Sequence, residues 1–227
     1  MLPWLVAPTD FPDVTRALQQ PNGLLAAGGE LRADWLLAAY RRGIFPWFNA
    51  GQPILWWSPD PRMVLFPQEL HVPKSLARVM RKGGYEIRVN TAFSEVMRQC
   101  AMPRHSQDGT WISADMVGAY TELHLLGWAH SIECWQNDAL VGGLYGVALG
   151  RVFYGESMFA KVDDASKIAF VHLVQQLRRS GFAVIDCQMN TAHLARFGAR
   201  EIARADFVRI LQDNVDEPNI HWDALEM

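Results

Sequence analysis

The chain of 227 residues has few cysteines and no grouping of residues typical of a metal site. Its three cysteines (Cys100, Cys134 and Cys187) are far apart, and an odd number without a CxxC pair argues against a disulfide framework. The seven histidines are also dispersed, with no HExxH motif and no zinc spacing. We therefore expect a protein of the reducing cytosol that binds no metal.

Long apolar runs are missing as well. No stretch approaches the ~20 apolar residues that cross a bilayer, and the N-terminus lacks a basic segment followed by an apolar run. We expect neither membrane contact nor a secretory signal. The formal net charge of −3 excludes a protein that is basic throughout, so any nucleic-acid surface must be a local patch.

The pattern of elements predicts an α+β protein in two parts. Residues 1–62 are rich in Pro, Gly and Trp and show one clear helix, at about 33–42, within what otherwise reads as ordered loop. Residues 63–227 alternate strands and helices. The predicted elements there are a strand at 63–66, a helix from Pro73 to Gly83, a strand at 85–90, a helix capped by Asn90, a helix capped by Ser113, an antiparallel meander at 129–157, a helix at 165–179, a strand at 183–188 and two final helices. The order meander, helix, strand, helix is that of an acetyltransferase-like domain.

The helix after Pro73 carries basic residues on one face. They recur at helical spacing, as Lys74, Arg78, Arg81 and Lys82, and at about 100° per residue they form one stripe. The stripe is either an ordinary solvated face or a contact for a phosphate backbone. No acidic residue interrupts it, where a merely soluble helix would carry Glu–Lys pairs, and this favours the phosphate contact.

Tryptophans are abundant, and three of the nine lie close together near the N-terminus. For Trp56 and Trp57 we expect a small core. Trp47, which follows Pro46 in a loop, is a candidate for stacking on a base. Trp111 lies in a glycine-containing loop, and its pattern fits stacking and simple packing equally.

Glu156 is a lone acid in an apolar, aromatic segment, and a buried carboxylate is costly unless it is paired. It either forms a salt bridge with Lys161 or Lys167, or holds the ammonium group of a ligand at the mouth of an apolar pocket. The preceding strand-like run, 140–146, contains three glycines, which indicates a bulge or a close approach of ligand or backbone.

Polar side chains also end the apolar run at 182–185. Strand alternation predicts that Asp186 and Gln188 share a face, while Cys187 points to the core on the other. An Asp beside a Gln can accept a proton and orient a nucleophile.

Taken together, several motifs resemble the bacterial leucyl/phenylalanyl-tRNA–protein transferase family over nearly the whole chain. They are PNGLLA at 21–26, RGIFPWF at 42–48, LWWSPDPR at 55–62, GTWI at 109–112, GESMF at 155–159, ASK at 165–167 and IDCQ at 185–188. The resemblance implies a small N-terminal domain, 1–62, packed on an acetyltransferase-like (GNAT-type) mixed-sheet catalytic domain, 63–227.

The same resemblance implies an activity. Leu or Phe, and less readily Met, would pass from aminoacyl-tRNA to proteins that begin with Arg or Lys, which marks them for degradation under the N-end rule. The implied partners are Leu-tRNA, Phe-tRNA and those acceptor proteins; no cofactor is used, and we expect a monomer in the cytosol.

The resemblance also assigns roles to residues of this sequence. The implied sites are Trp47 and Trp111 for the terminal adenosine, Leu144, Phe153 and Phe170 for the aminoacyl side chain, Glu156 for its amino group, Asp186 and Gln188 as catalytic residues for the attacking amine, and Lys74, Arg78, Arg81 and Lys82 for the acceptor stem.

Two other functions are compatible with parts of the pattern. An acetyl-CoA-dependent acetyltransferase would need a glycine-rich pyrophosphate loop, but residues 159–167 contain no glycine and two acids. A non-catalytic RNA-binding module would explain the basic stripe and the tryptophans. It would leave Glu156, Asp186 and Gln188 without a purpose.

Overall fold

A computed structural model describes residues 1–102, 112–220 and 222 as two lobes, each built on its own β-sheet. The N-terminal lobe contains β1 (Trp4–Leu5), β2 (Leu24–Gly28), α1 (Ala33–Tyr40), β3 (Phe45–Pro46) and β4 (Leu55–Trp57), in the sheet order β1-β2-β4-β3.

The C-terminal lobe carries a seven-stranded sheet in the order β11-β5-β10-β9-β8-β7-β6. Its elements are β5 (Arg62–Leu65), α2 (Lys74–Lys82), β6 (Glu86–Val89), α3 (Phe93–Cys100), α4 (Ala114–Leu125), β7 (Ala129–Gln136), β8 (Ala139–Leu149), β9 (Val152–Ala160), α5 (Ala165–Arg179), β10 (Val184–Gln188), α6 (Ala192–Ala195), β11 (Arg200–Ile202) and α7 (Arg204–Asn214). Strands β9 and β10 pair in parallel and the other neighbours are antiparallel, so the sheet is mixed. The predicted α+β class and the order meander, helix, strand, helix are confirmed.

The N-terminal sheet corrects the prediction of ordered loop around a single helix. Its strands are two to five residues long and interrupted by Gly and Pro, so they show no alternation that a sequence pattern could reveal. Trp56, on β4, is fully buried; its ring stacks on Trp35, and its indole N–H donates to the carbonyl of Gly28 at 2.9 Å. The small core expected around Trp56 and Trp57 is confirmed.

The two predicted helix caps have different outcomes. Ser113 caps α4, because its hydroxyl accepts from the N–H of Met116 at 3.2 Å. Asn90 does not cap α3. It adopts a left-handed conformation (φ 59°) and its side chain accepts from the N–H of Ser131 on β7, so the helix begins two residues later than this cap would place it, after Ala92.

Two apolar clusters cover the two faces of the large sheet, as Val64 in one and Met63 and Leu65 in the other illustrate. The first cluster also includes residues of the N-terminal lobe, so the lobes share one core. Within the described residues, none of the helices has the length and apolar character needed to cross a bilayer.

Candidate functional site

The polar site lies where β9 and β10 part. The two strands pair from Val184 and Val152 as far as Asp186 and Tyr154, and β9 then continues alone to Ala160. Just beyond this point the register between β8 and β9 shifts, because Gly146 faces Gly155 while Tyr145 faces Ser157. Glu156 is therefore the extra residue of a β-bulge. Bulges re-aim side chains, and this one directs a carboxylate away from the regular alternation.

Three neutral donors hold the Glu156 carboxylate. Tyr40 donates to Oε1 at 2.7 Å, the Gln188 side-chain amide donates to Oε1 at 3.1 Å, and Tyr120 donates to Oε2 at 3.2 Å. The hydroxyls of Tyr40 and Tyr120 also contact each other, and because each carries one proton, either can donate to the other only by giving up its bond to Glu156. Burial raises the pKa of Glu156 to about 7, and the nearby negative charge of Asp186 adds to the rise, although the hydrogen bonds oppose it. The arrangement offers a carboxylate that changes charge near neutral pH.

The salt bridge considered for Glu156 is not formed. Lys167 pairs instead with Asp164, one turn earlier, at 2.6 Å. The Lys161 ammonium lies over the ring of Phe159. Glu156 thus has no cationic partner among the described residues, and this leaves the ligand-binding interpretation as a proposal.

Asp186 is fully buried and paired with Arg62, the first residue of β5. The guanidinium of Arg62 donates to both carboxylate oxygens, at 2.8 and 2.6 Å, and Arg62 is itself fully buried. The backbone N–H of Gln188 donates to the same carboxylate at 2.9 Å. Three donors therefore surround a carboxylate that has no exposed surface.

Gln188 does not follow the simple alternation that predicted it on the same face as Asp186. A bulge at Cys187 shifts the register against β5, and Gln188 adopts a left-handed conformation with φ 61°. Its main chain is tied to Asp186 while its side chain reaches Glu156, so the two acids and the amide still come together. Cys187 packs against the second apolar cluster, as predicted, and burial raises the pKa of its thiol.

The residues expected to line an aminoacyl pocket lie in one apolar cluster. Leu144 on β8, Phe153 on β9 and Phe170 on α5 all belong to the second cluster and are buried. The glycines of β8 allow close packing there: a Cβ on Gly146 would lie 2.5 Å from the ring of Phe153, and one on Gly142 would lie 2.6 Å from Ala165. The bulge and close approach expected from these glycines are both present.

Trp47 and the cationic face of α2 are accessible. The Trp47 side chain is 44% exposed, and its ring packs edge-on against Trp57. The four basic residues of α2 are exposed and form no ion pair within the described part of the chain, while Leu76 on the opposite side is buried. Trp111 lies outside the described residues.

Sequence reasoning missed three residues of the site: Tyr40, Tyr120 and Arg62. The two tyrosines belong to none of the patterns considered for the site, and they reach Glu156 from separations of 116 and 36 residues. Arg62 ends the motif at 55–62, and its place in that motif was the available signal.

Comparison with known proteins assigns the chain to a family. A family model described as leucyl/phenylalanyl-tRNA protein transferase matches residues 64–212, and the model of the N-terminal domain of that family matches residues 29–60. This chain belongs to the leucyl/phenylalanyl-tRNA–protein transferase family. The resemblance seen in its motifs is confirmed, and so is the enzyme class, an aminoacyltransferase.

Relatives of the same name are similar over nearly their full lengths. The protein of Nitrosospira multiformis is 62% identical over 95% of this chain and 93% of the relative. The protein of Chromobacterium violaceum is 58% identical over 98% and 97% of the two chains. Among solved structures, the C-terminal domain of a putative lysylphosphatidylglycerol synthetase from Agrobacterium fabrum aligns with a TM-score of 0.46 and 12% identity, over 80% of this chain and 69% of that one.

Proposed function

We propose that this transferase moves Leu or Phe, and less readily Met, from aminoacyl-tRNA to the N-terminal Arg or Lys of acceptor proteins in the cytosol, as a monomer and without a cofactor. The observation that carries the proposal is the carboxylate of Glu156, which the β9 bulge places beside Gln188 at the open end of the β9–β10 pair. A carboxylate with neutral partners has capacity left for a cation, and the aminoacyl group offers an ammonium.

The reaction is aminolysis of an ester. The acceptor α-amine attacks the carbonyl carbon, the bond from that carbon to the ribose oxygen breaks, and the amine proton leaves with the departing hydroxyl. Because the ester is already activated, positioning the two reactants supplies much of the rate. We assign Glu156 to the aminoacyl ammonium and the Gln188 amide to the attacking amine.

Asp186 serves the attacking amine through Gln188 in this proposal. Its carboxylate is buried and already accepts three hydrogen bonds, so it is poorly placed to take a proton from a substrate directly. It fixes the main chain of Gln188 in the left-handed conformation and thereby aims the side-chain amide. The role supported is that of a positioning residue.

The remaining assignments concern the tRNA end. Trp47, with its exposed ring, would stack on the terminal adenosine together with Trp111, and the cationic face of α2 would meet the phosphates of the acceptor stem. The apolar cluster around Leu144, Phe153 and Phe170 would receive the aminoacyl side chain.

A transfer assay tests the proposal. Labelled Phe from Phe-tRNA should appear on a peptide that begins with Arg or Lys and not on one that begins with Asp, without any added cofactor. Dependence on acetyl-CoA would support an acetyltransferase, and binding of tRNA without transfer would support an RNA-binding module. Either result would overturn the proposal.

A further inference from the structure

Arg62 connects more parts of the molecule than an ordinary buried ion pair requires. Besides both oxygens of Asp186, its guanidinium donates to the carbonyl of Gly43 at 3.0 Å. The same group lies 4.8 Å from the ring centroid of Phe45 and 4.8 Å from that of Phe207. One side chain thus joins the N-terminal lobe, strands β5 and β10, and helix α7.

The contacts of Arg62 lead towards both ends of the proposed site. On one side, Gly43 and Phe45 come shortly before Trp47, which is the candidate for stacking on adenosine. Phe45 is the first residue of β3, and Trp47 directly follows that strand. On the other side, Arg62 binds the carboxylate of Asp186, and this carboxylate accepts a hydrogen bond from the backbone N–H of Gln188. We propose that Arg62 is a positioning residue that sets the Trp47 segment and the Gln188 amide relative to each other. This inference rests on the proposed function.

The chemistry of the contacts requires arginine. A guanidinium is planar and presents its N–H groups as a fork, so it can bind a carboxylate with two parallel bonds, donate to a carbonyl and lie against aromatic rings at once. Lysine would keep the charge but lose the fork and the flat face. Arg62→Lys therefore removes the geometry while leaving an ion pair possible.

The chain supplies a matched control in the same sheet. Arg200 on β11 also donates from two guanidinium nitrogens to the two carboxylate oxygens of Glu69, at 3.1 and 3.2 Å, and its guanidinium lies over the ring of Phe66. This pair is exposed and joins no part of the proposed site. Arg200→Lys therefore reports the general effect of replacing a forked, ring-stacked arginine.

The first experiment compares the full-length wild type, Arg62→Lys and Arg200→Lys. The measurements are kcat and KM for Phe-tRNA and for the minimal donor Phe-adenosine, normalised to folded protein by thermal melting. We expect Arg62→Lys to lower kcat by about 10–100-fold, as a small displacement of reacting groups does, and to raise the KM for Phe-adenosine by about fivefold or more. Arg200→Lys should match the wild type.

Two further variants test the two connections of Arg62 separately, one to the Trp47 segment and one to Gln188. They also keep the inference testable if Arg62→Lys folds poorly. Asp186→Asn should lower kcat without changing the KM for Phe-adenosine, whereas Phe45→Leu should raise that KM and leave kcat within about threefold. In the double variant Arg62→Lys/Asp186→Asn, kcat should fall little below that of Asp186→Asn alone, because both changes break one connection.

The inference is overturned if Arg62→Lys retains wild-type kcat and KM per folded molecule. It is also overturned if the losses of kcat in the double variant are fully additive, or if Phe45→Leu leaves the KM for Phe-adenosine unchanged. Absence of transfer by the wild type and by Arg200→Lys would instead refute the proposed function. The two failures are therefore distinguishable in one set of assays.

Discussion

At the scale of single residues, Glu156 is a carboxylate surrounded by hydroxyls and an amide. Ordinary buried acids are stabilised by a cation, and Asp186 has one in Arg62. Glu156 has Tyr40, Tyr120 and Gln188, so its ionised form is hydrogen-bonded but not neutralised. A substrate ammonium would supply the missing positive charge. In the free enzyme the ionised carboxylate remains without a cation, which is unfavourable.

This arrangement predicts a pH-dependent cost to stability. The pKa of Glu156 rises from 4.5 to about 7 on folding, so the folded protein binds the proton more tightly than the unfolded chain. The favourable contribution is complete below pH 4.5 and is lost as the pH rises through about 7. Glu156→Gln should therefore raise Tm relative to the wild type more at pH 8 than at pH 5, while transfer activity falls.

The control for that experiment is Glu122→Gln, which changes an exposed acid on α4. Its effect on Tm should be small and similar at both pH values. Equal Tm differences between Glu156→Gln and the wild type at pH 5 and pH 8 would show that folding does not raise the pKa of Glu156.

Cys187 tests whether the transfer proceeds by direct attack. The thiol packs against the second apolar cluster, and burial raises its pKa, so little thiolate is available to form a thioester. Cys187→Ala should keep kcat within a few-fold of wild type and cost about 1 kcal/mol of stability through the small cavity. Cys134→Ala, in the same cluster, is the packing control. A labelled Phe–enzyme adduct that only Cys187→Ala abolishes would establish a covalent route instead.

At the scale of elements, helix α2 carries its four basic residues on an exposed face and buries Leu76 on the opposite face. If its four basic residues contact the acceptor end of tRNA, each phosphate contact contributes roughly −0.7 to the slope of log affinity against log salt, or about −3 in total. Arg78→Glu should flatten the slope by about 0.7 and raise the KM for Phe-tRNA, but not that for Phe-adenosine. Arg209→Glu on α7 provides the matched change of charge, and an equal effect of both variants would assign the result to net charge alone.

The sequence predicted those elements whose signals are local. Helix α5 and strands β7–β9 follow from continuous periodicity and turn residues, and the structure places them within a few residues of the prediction. The donors to Glu156 could not be predicted, because Tyr40 and Tyr120 meet it only after long-range packing. The glycines of β8 indicated a bulge but not that Glu156 would be its extra residue, and the bulge at Cys187 had no signal in the sequence, since register shifts depend on the neighbouring strand.

At the scale of the whole molecule, the lobes differ in their sheets but share a core. The first apolar cluster joins Trp56 and Tyr40 of the N-terminal lobe to Tyr145 and Phe207 of the C-terminal lobe. The proposed site is also formed by both lobes, because Tyr40 of the N-terminal lobe donates to Glu156 and the carbonyl of Gly43 accepts from Arg62 across the boundary. The N-terminal lobe is thus part of the packing that holds the site in place.

This shared core predicts that the two lobes unfold together. Residues 63–227 alone would expose Tyr120 and Tyr154, which contact Tyr40, and would lose Arg62, so this fragment should lack fixed tertiary structure. The full chain should unfold in one transition, with equal calorimetric and van't Hoff enthalpies. The first 62 residues contain five of the nine tryptophans: Trp4, Trp35, Trp47, Trp56 and Trp57. Tryptophan fluorescence therefore reports mainly on the N-terminal lobe, whereas far-UV circular dichroism reports mainly on the helices of the C-terminal lobe. The two signals should have the same midpoint. Separate midpoints, or a fragment with native near-UV dichroism, would show that the lobes fold independently and that Tyr40 joins a carboxylate site already formed without it.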